Sequence, residues 1–297
     1  MLDAADRIED LIQEEVGRNM EGLFAASKGG LWRAASAIAA LPEPKVGIIT
    51  GFYVPAGNPP AGETDGPLGS ALLAGALRAV GVPCRMVTDE PCRGACAAAL
   101  KGTDVALDVV PLGGSVDDVV ALWRQAGITH AVSIERCGRS ADGIPRNMRG
   151  VDISAFTTPL DDLFLAGPWL RIAVGDGGNE IGMGSVPHSL TGAFVAHGED
   201  IACVTPCDHL IVAGVSNWGA YGLIGALALI RKTWRVTLTD WLDPARDGAI
   251  LRTMIEEGPA VDGVTGERKP SVDSLPAEVH HAKLRAIRAV VEDYAVS

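Results

Sequence analysis

Leu170-Arg171-Ile172-Ala173-Val174-Gly175-Asp176-Gly177-Gly178-Asn179-Glu180-Ile181-Gly182-Met183-Gly184 is the stretch on which the reading turns. Its first five residues form a mostly apolar run of strand length. Five of the next ten are glycine, which lets the chain turn with positive φ and lets a ligand approach the main chain. A strand that runs into such a turn is the repeating unit of α/β proteins, whose ligands bind beyond the carboxyl ends of the strands. Free N–H groups in the turn suit an anion, and Asp176 and Glu180 offer oxygens to a hard cation. It is not a dinucleotide fingerprint, because Glu180 stands where the last glycine is required, and no GxxxxGK loop occurs. A plain βα turn is the bland alternative.

Outward from this unit the same rhythm repeats. Strands are expected at Val46–Thr50, Cys84–Thr88, Val105–Val110, Thr129–Ile134, Leu170–Val174 and His209–Ala213. Helices are expected over about Leu68–Val80 and Val116–Gln125, from the sixth strand to Ile230, and over about Ala277–Tyr294. Residues 1–40 read as a helical prelude, broken at Lys28-Gly29-Gly30 and stopped by Pro42 and Pro44. The alternation predicts an α/β fold: a three-layer, doubly wound, mostly parallel sheet. One domain is expected across 1–297, with a helical extension over 1–44, a core over 45–231 and a C-terminal segment over 232–297.

The chain has 297 residues, 47% hydrophobic and 21% charged, which is a globular balance. A net charge of -12 excludes the basic footprint of a nucleic-acid binder. The N-terminus lacks a signal-type apolar region, so a cytoplasmic location is expected. Leu210–Ile230 is apolar enough to raise the question of a membrane span, but Ser216-Asn217-Trp218-Gly219 interrupts it. A buried strand running into a helix is the better account, and no membrane partner is expected. Six cysteines without a CxxC pair read as buried free thiols. A homo-oligomer is left open.

Other candidates sit at other strand ends. Glu63 and Asp65 lie two apart in a loop over 51–67, unusually long for a βα connection. There a helix cap at Thr64 or Asp65 is the competing role. Glu135 ends the fourth strand. Arg136, Arg139 and Arg149 are candidate clamps for a carboxylate or phosphate, with salt bridges the simpler account of each. Asn147, Gly177, Gly178, Asn179 and Asn217 are candidate substrate contacts, though Asn217 also suits a helix cap. Asp262-Gly263 is an outside candidate in a polar turn.

Thr50-Gly51-Phe52, Glu63-Thr64-Asp65-Gly66-Pro67, Glu135-Arg136-x-Gly138-Arg139, the ten residues from Gly175 to Gly184, and Ser216-Asn217-Trp218-Gly219 together resemble the D-glutamate cyclase C-terminal domain family, over roughly residues 41–265. Cys137 and Pro145 depart from that pattern, standing where Pro and an aromatic are expected. In the cyclases of that family an additional N-terminal domain accompanies this one. The resemblance implies an α/β fold, divalent-metal-type acids in the cleft, and cyclisation of D-glutamate to 5-oxo-D-proline and water. On this reading Glu135, Glu63 and Asp176 are catalytic, with Glu135 or Glu63 as base. Mg²⁺ or Mn²⁺ held by Asp65, Asp176 and Glu180 acts as Lewis acid, and an arginine clamps a small acidic substrate. A metal-dependent phosphohydrolase and a non-catalytic metabolite-binding domain are the alternatives.

Overall fold

In the computed structural model, which describes residues 1–296, six parallel strands form the central sheet. They are β1 (Val46–Thr50), β2 (Cys84–Asp89), β3 (Ala106–Val110), β4 (His130–Ile134), β5 (Leu170–Gly175) and β6 (His209–Val212). Their order is β3-β2-β1-β4-β5-β6. Val46 pairs with His130 and Thr50 with Ile134, so β1 and β4 end level. The chain winds outward from β1 to β3, then crosses back to β4. Loops leaving β1 and β4 therefore diverge, opening a crevice at their carboxyl ends.

Alternation along the strands sorts the two faces. Val46, Ile48, Val132, Ile134, Ile172 and Val174 join one apolar core. It includes helices α1 (Leu2–Ile12), α2 (Gly30–Ala40), α3 (Pro67–Ala79), α4 (Ser216–Ile230) and α5 (Ala277–Val296). Ile49, Ala131, Ala173 and Val212 join the second, with the helices Asp117–Ala126 and Asp161–Ala166. Gly47 is required where the Trp123 ring crosses the strand, since a Cβ there would come within 2.5 Å of it. Three layers result, as expected.

The stretch that raised the membrane question is β6 and α4, and α4 is buried along fourteen of its fifteen residues. Being apolar all round, it fills the core. Among the described residues no helix is long and apolar enough to cross a membrane. Two expectations change. The prelude is interrupted after Ile12, where the Glu15 carboxylate accepts the N–H groups of Gly17, Arg18, Asn19 and Met20. The C-terminal segment holds more helix than expected, over Arg235–Trp241 and Pro244–Glu257. The second of these is capped by Asp243, which accepts from the Ala245 N–H at 2.9 Å, with Pro244 in its first turn.

Candidate active site

The site forms where six segments meet at the crevice. Thr64, after β1, is pinned to the C-terminal segment: its N–H donates to the Val261 carbonyl and its hydroxyl to the Ser271 carbonyl, each at 2.9 Å. Gly66, at φ 84°, turns the chain into α3; a Cβ there would meet the Glu135 Cβ at 2.7 Å. Glu135 itself is held at φ 45°, a conformation that glutamate rarely adopts and that concentrates at functional sites.

The N-terminus of α4 organises the acids. The Ser216 N–H donates to Asp65 Oδ2 and to Asp176 Oδ2, both at 3.0 Å, and the Asn217 N–H to Asp65 Oδ1 at 2.8 Å. The Ser216 hydroxyl donates to Glu135 Oε2 at 2.6 Å. Helix amides and their dipole favour negative charge here. Ligand-type atoms of Asp65, Glu135 and Asp176 all lie within 4.8 Å of one another. Arg18, from the Glu15-tied turn, pairs with Asp176 and reaches Asp273 Oδ2 at 2.9 Å. Asp273 stands at the tip of a short hairpin, Ser271–Val272 with Leu275–Pro276. Glu63 completes the group.

Five buried carboxylates thus face one guanidinium. Burial, and then mutual repulsion, pushes Glu63, Asp65 and Glu135 well above the usual carboxylate range. Asp176 is also raised by burial, with Arg18 pulling against it, and Asp273 is raised to about 6 by the same balance. Burial works against the Arg18 charge, but the surrounding carboxylates outweigh it and hold its pKa well above the ordinary value. Above the acids opens a cavity of about 340 Å³, lined by Arg18, Glu63, Glu135, Asp176 and Asp273 and by Phe52, Tyr53, Val54, Pro55, Met148 and Val264 among others.

Residues 8–288 match the family described as D-glutamate cyclase-like, C-terminal. The chain belongs to that family. It is 36% identical over 200 residues to the mitochondrial D-glutamate cyclase of Homo sapiens, a match covering 62% of this chain and 32% of the human protein. The chain therefore spans about a third of the length of the curated relative it matches. The family match runs past both ends of the 41–265 resemblance and takes in Arg18 and Asp273.

Of the residues singled out from the sequence, the structure brings Glu63, Asp65, Glu135 and Asp176 together. Glu180 is close by but its carboxylate is turned to the amides of its own loop: Oε1 accepts the N–H groups of Asp176 and Gly177 at 2.7 and 2.6 Å, and Oε2 that of Gly178 at 2.7 Å. Glu135 takes the place expected for it in the acid cluster, and the Gly177 and Gly178 amides are not turned outward to an anion. Arg136 also departs from its expected role. Fully buried, it donates to Asp89 Oδ2, the Gly51 carbonyl and the Thr158 carbonyl at 2.6–2.7 Å. Arg139 is drawn to Asp161 and Asp162, away from the cavity.

Asn179 is buried and donates to the Arg146 carbonyl at 2.7 Å. Asn217 is scaffold: its Oδ1 accepts the N–H groups of Gly66 and Gly69 at 2.9 and 2.7 Å. Asn147 and Arg149 do line the cavity. Asp262 ties its own turn, accepting from Val264, Thr265, Ser271 and Ser274. Sequence reasoning missed Arg18, Asp273, Ser216 and the apolar walls. Gly17-Arg18-Asn19 carried a turn signal inside the helical pattern, and Asp273-Ser274 between Val272 and Leu275 a hairpin signal.

Proposed function

We propose that the chain closes D-glutamate to 5-oxo-D-proline with release of water. The observation that carries this reading is the overcharged carboxylate group with its single arginine at the floor of the cavity, in a chain of this family. In the reaction the α-nitrogen bonds to the carbon of the γ-carboxyl group, one oxygen of that group leaves as water, and two protons pass from the ammonium to that oxygen. An ammonium suits an acidic floor. Glu135, which accepts from the Ser216 hydroxyl, is the base that takes its proton, and Glu63, whose neutral form burial favours, is the donor to the departing oxygen. Arg18 and Arg149 are the cations available to a substrate carboxylate at this cavity.

The same oxygens fit a hard cation. Excess negative charge is gathered within one coordination sphere, and a carboxylate oxygen that accepts one hydrogen bond keeps a further lone pair. We therefore propose Mg²⁺ or Mn²⁺ held by Asp65, Glu135 and Asp176. A bound ion supplies polarisation of the γ-carboxyl group. The phosphohydrolase alternative loses support, because the amides meant for phosphate already serve Glu180.

Mass spectrometry of D-glutamate incubations, with Mn²⁺ and then with chelator, tests the reading. Water loss is expected from D-glutamate and not from L-glutamate, whose amine points away from the base. D-aspartate is inert too, since it would have to close a strained four-membered ring. Absence of lactam from D-glutamate in the presence of Mn²⁺ overturns the proposal.

A further inference from the structure

We propose that the cavity also takes D-glutamate whose γ-carboxyl is joined to an apolar amine, and that the chain closes the lactam on such γ-amides with release of that amine. This rests on the reading above and extends its substrate class. Three features of the cavity lead to it.

The first is size. Pockets of about 300–1,000 Å³ hold most of a drug-sized ligand, and this one, at about 340 Å³, exceeds what free glutamate fills. The second is its polarity gradient. The acids at the floor are nearly fully buried, whereas Tyr53, Val54, Pro55 and Met148 are half-buried and Val264 is 44% exposed. Phe156, 39% exposed, stacks on Tyr53 with ring centroids 5.4 Å apart and continues this apolar wall. Departing water makes no use of such a wall, but an apolar leaving group does. The third is charge. Free D-glutamate brings two carboxylates to a floor that holds five, with Arg18 already bridging two of them. A γ-amide removes one of those carboxylates and presents a neutral carbonyl.

The step balances without an oxidant or reductant. The bond from the α-nitrogen to the carbon of the γ-carboxamide forms, the bond from that carbon to the amide nitrogen breaks, and two protons of the ammonium pass by way of Glu135 to the amide nitrogen, which leaves as the alkylammonium. The floor receives the α-ammonium, and the amide substituent lies along Tyr53, Met148 and Val264 toward the opening.

The γ-benzylamide and γ-methylamide of D-glutamate, both amides of primary amines and different in apolar bulk, are compared with D-glutamate by following 5-oxoproline. The expected result is lactam from both amides, with kcat/KM for the benzylamide about tenfold above that for the methylamide. Met148→Ala and Val264→Ser, each confirmed folded by its melting curve, should shrink that ratio toward one. Closure of D-glutamate with both amides inert, or with no preference between them, overturns this inference and leaves the cyclase reading intact. Closure of the benzylamide but not of D-glutamate supports this inference and removes water as the leaving group. No lactam from any of the three removes both.

Discussion

Glu135 and Arg136 are neighbours in the chain, yet they belong to two buried charge groups of opposite character. Arg136 meets Asp89, at the end of β2, and the two balance; the Asp89 Oδ2 that accepts from Arg136 also accepts the Thr158 N–H at 2.9 Å. Glu135 belongs to the other group, where, among the described residues, Asp65, Asp176, Glu63 and Asp273 share only Arg18. Both lie at the same rim of the sheet. A balanced buried pair holds loops in place. An unbalanced one works against the fold, and such imbalance is kept where chemistry or a ligand uses it. The difference separates scaffold from site among residues that look alike in the sequence.

The largest effect expected is on the balanced pair. Arg136→Met leaves the Asp89 charge buried and unpaired, and should cost about 3–5 kcal/mol in denaturant unfolding. Adding Asp89→Leu should restore most of that loss. A single variant as stable as the wild type would erase the contrast between the two groups.

Next in size is the response to metal. A cation that binds the native site stabilises it by about 2.7 kcal/mol at a hundredfold excess over Kd, so Mg²⁺ or Mn²⁺ should raise Tm. Asp176→Asn should abolish most of that rise. An unchanged wild-type melting curve at millimolar metal would count against a cation at the acid group, while leaving Arg136 and Asp89 untouched.

A smaller effect, with a sign that decides, concerns pH. Asp273 holds its proton up to about 6 in the folded chain, against an ordinary value near 3.8. Between those values the native state binds more protons than the unfolded one, so this group's stabilisation is present at low pH and fades as pH rises through 6. Subtracting the stability curve of Asp273→Asn from that of the wild type should therefore leave a difference that falls between about pH 4 and pH 7. A rising difference would mean that Arg18, and not burial, governs this carboxyl.

The sheet was legible because β-branched runs and Gly turns alternate at short range; each of the six strands lies within a residue of its expected ends. The acids Glu63, Asp65, Glu135 and Asp176 were legible for a related reason, since a parallel sheet brings all its strand ends to one rim. Arg18 and Asp273 were not. Each reaches the site from a segment outside the strand–helix alternation, and their meeting depends on tertiary packing of the two ends of the chain. Glu180 and Arg136 show the reverse failure: their residue types suit a ligand site, but local amides and a neighbouring acid claim them first.

Paired stability and turnover of Glu135→Gln test the central claim most directly. If the acid group is overcharged for function, this variant folds, gains about 1 kcal/mol at neutral pH by removing a repelled carboxylate, and loses about 10²–10⁴-fold in kcat for lactam formation from D-glutamate. Glu135→Gln that is less stable than the wild type, or equally active, would contradict the account.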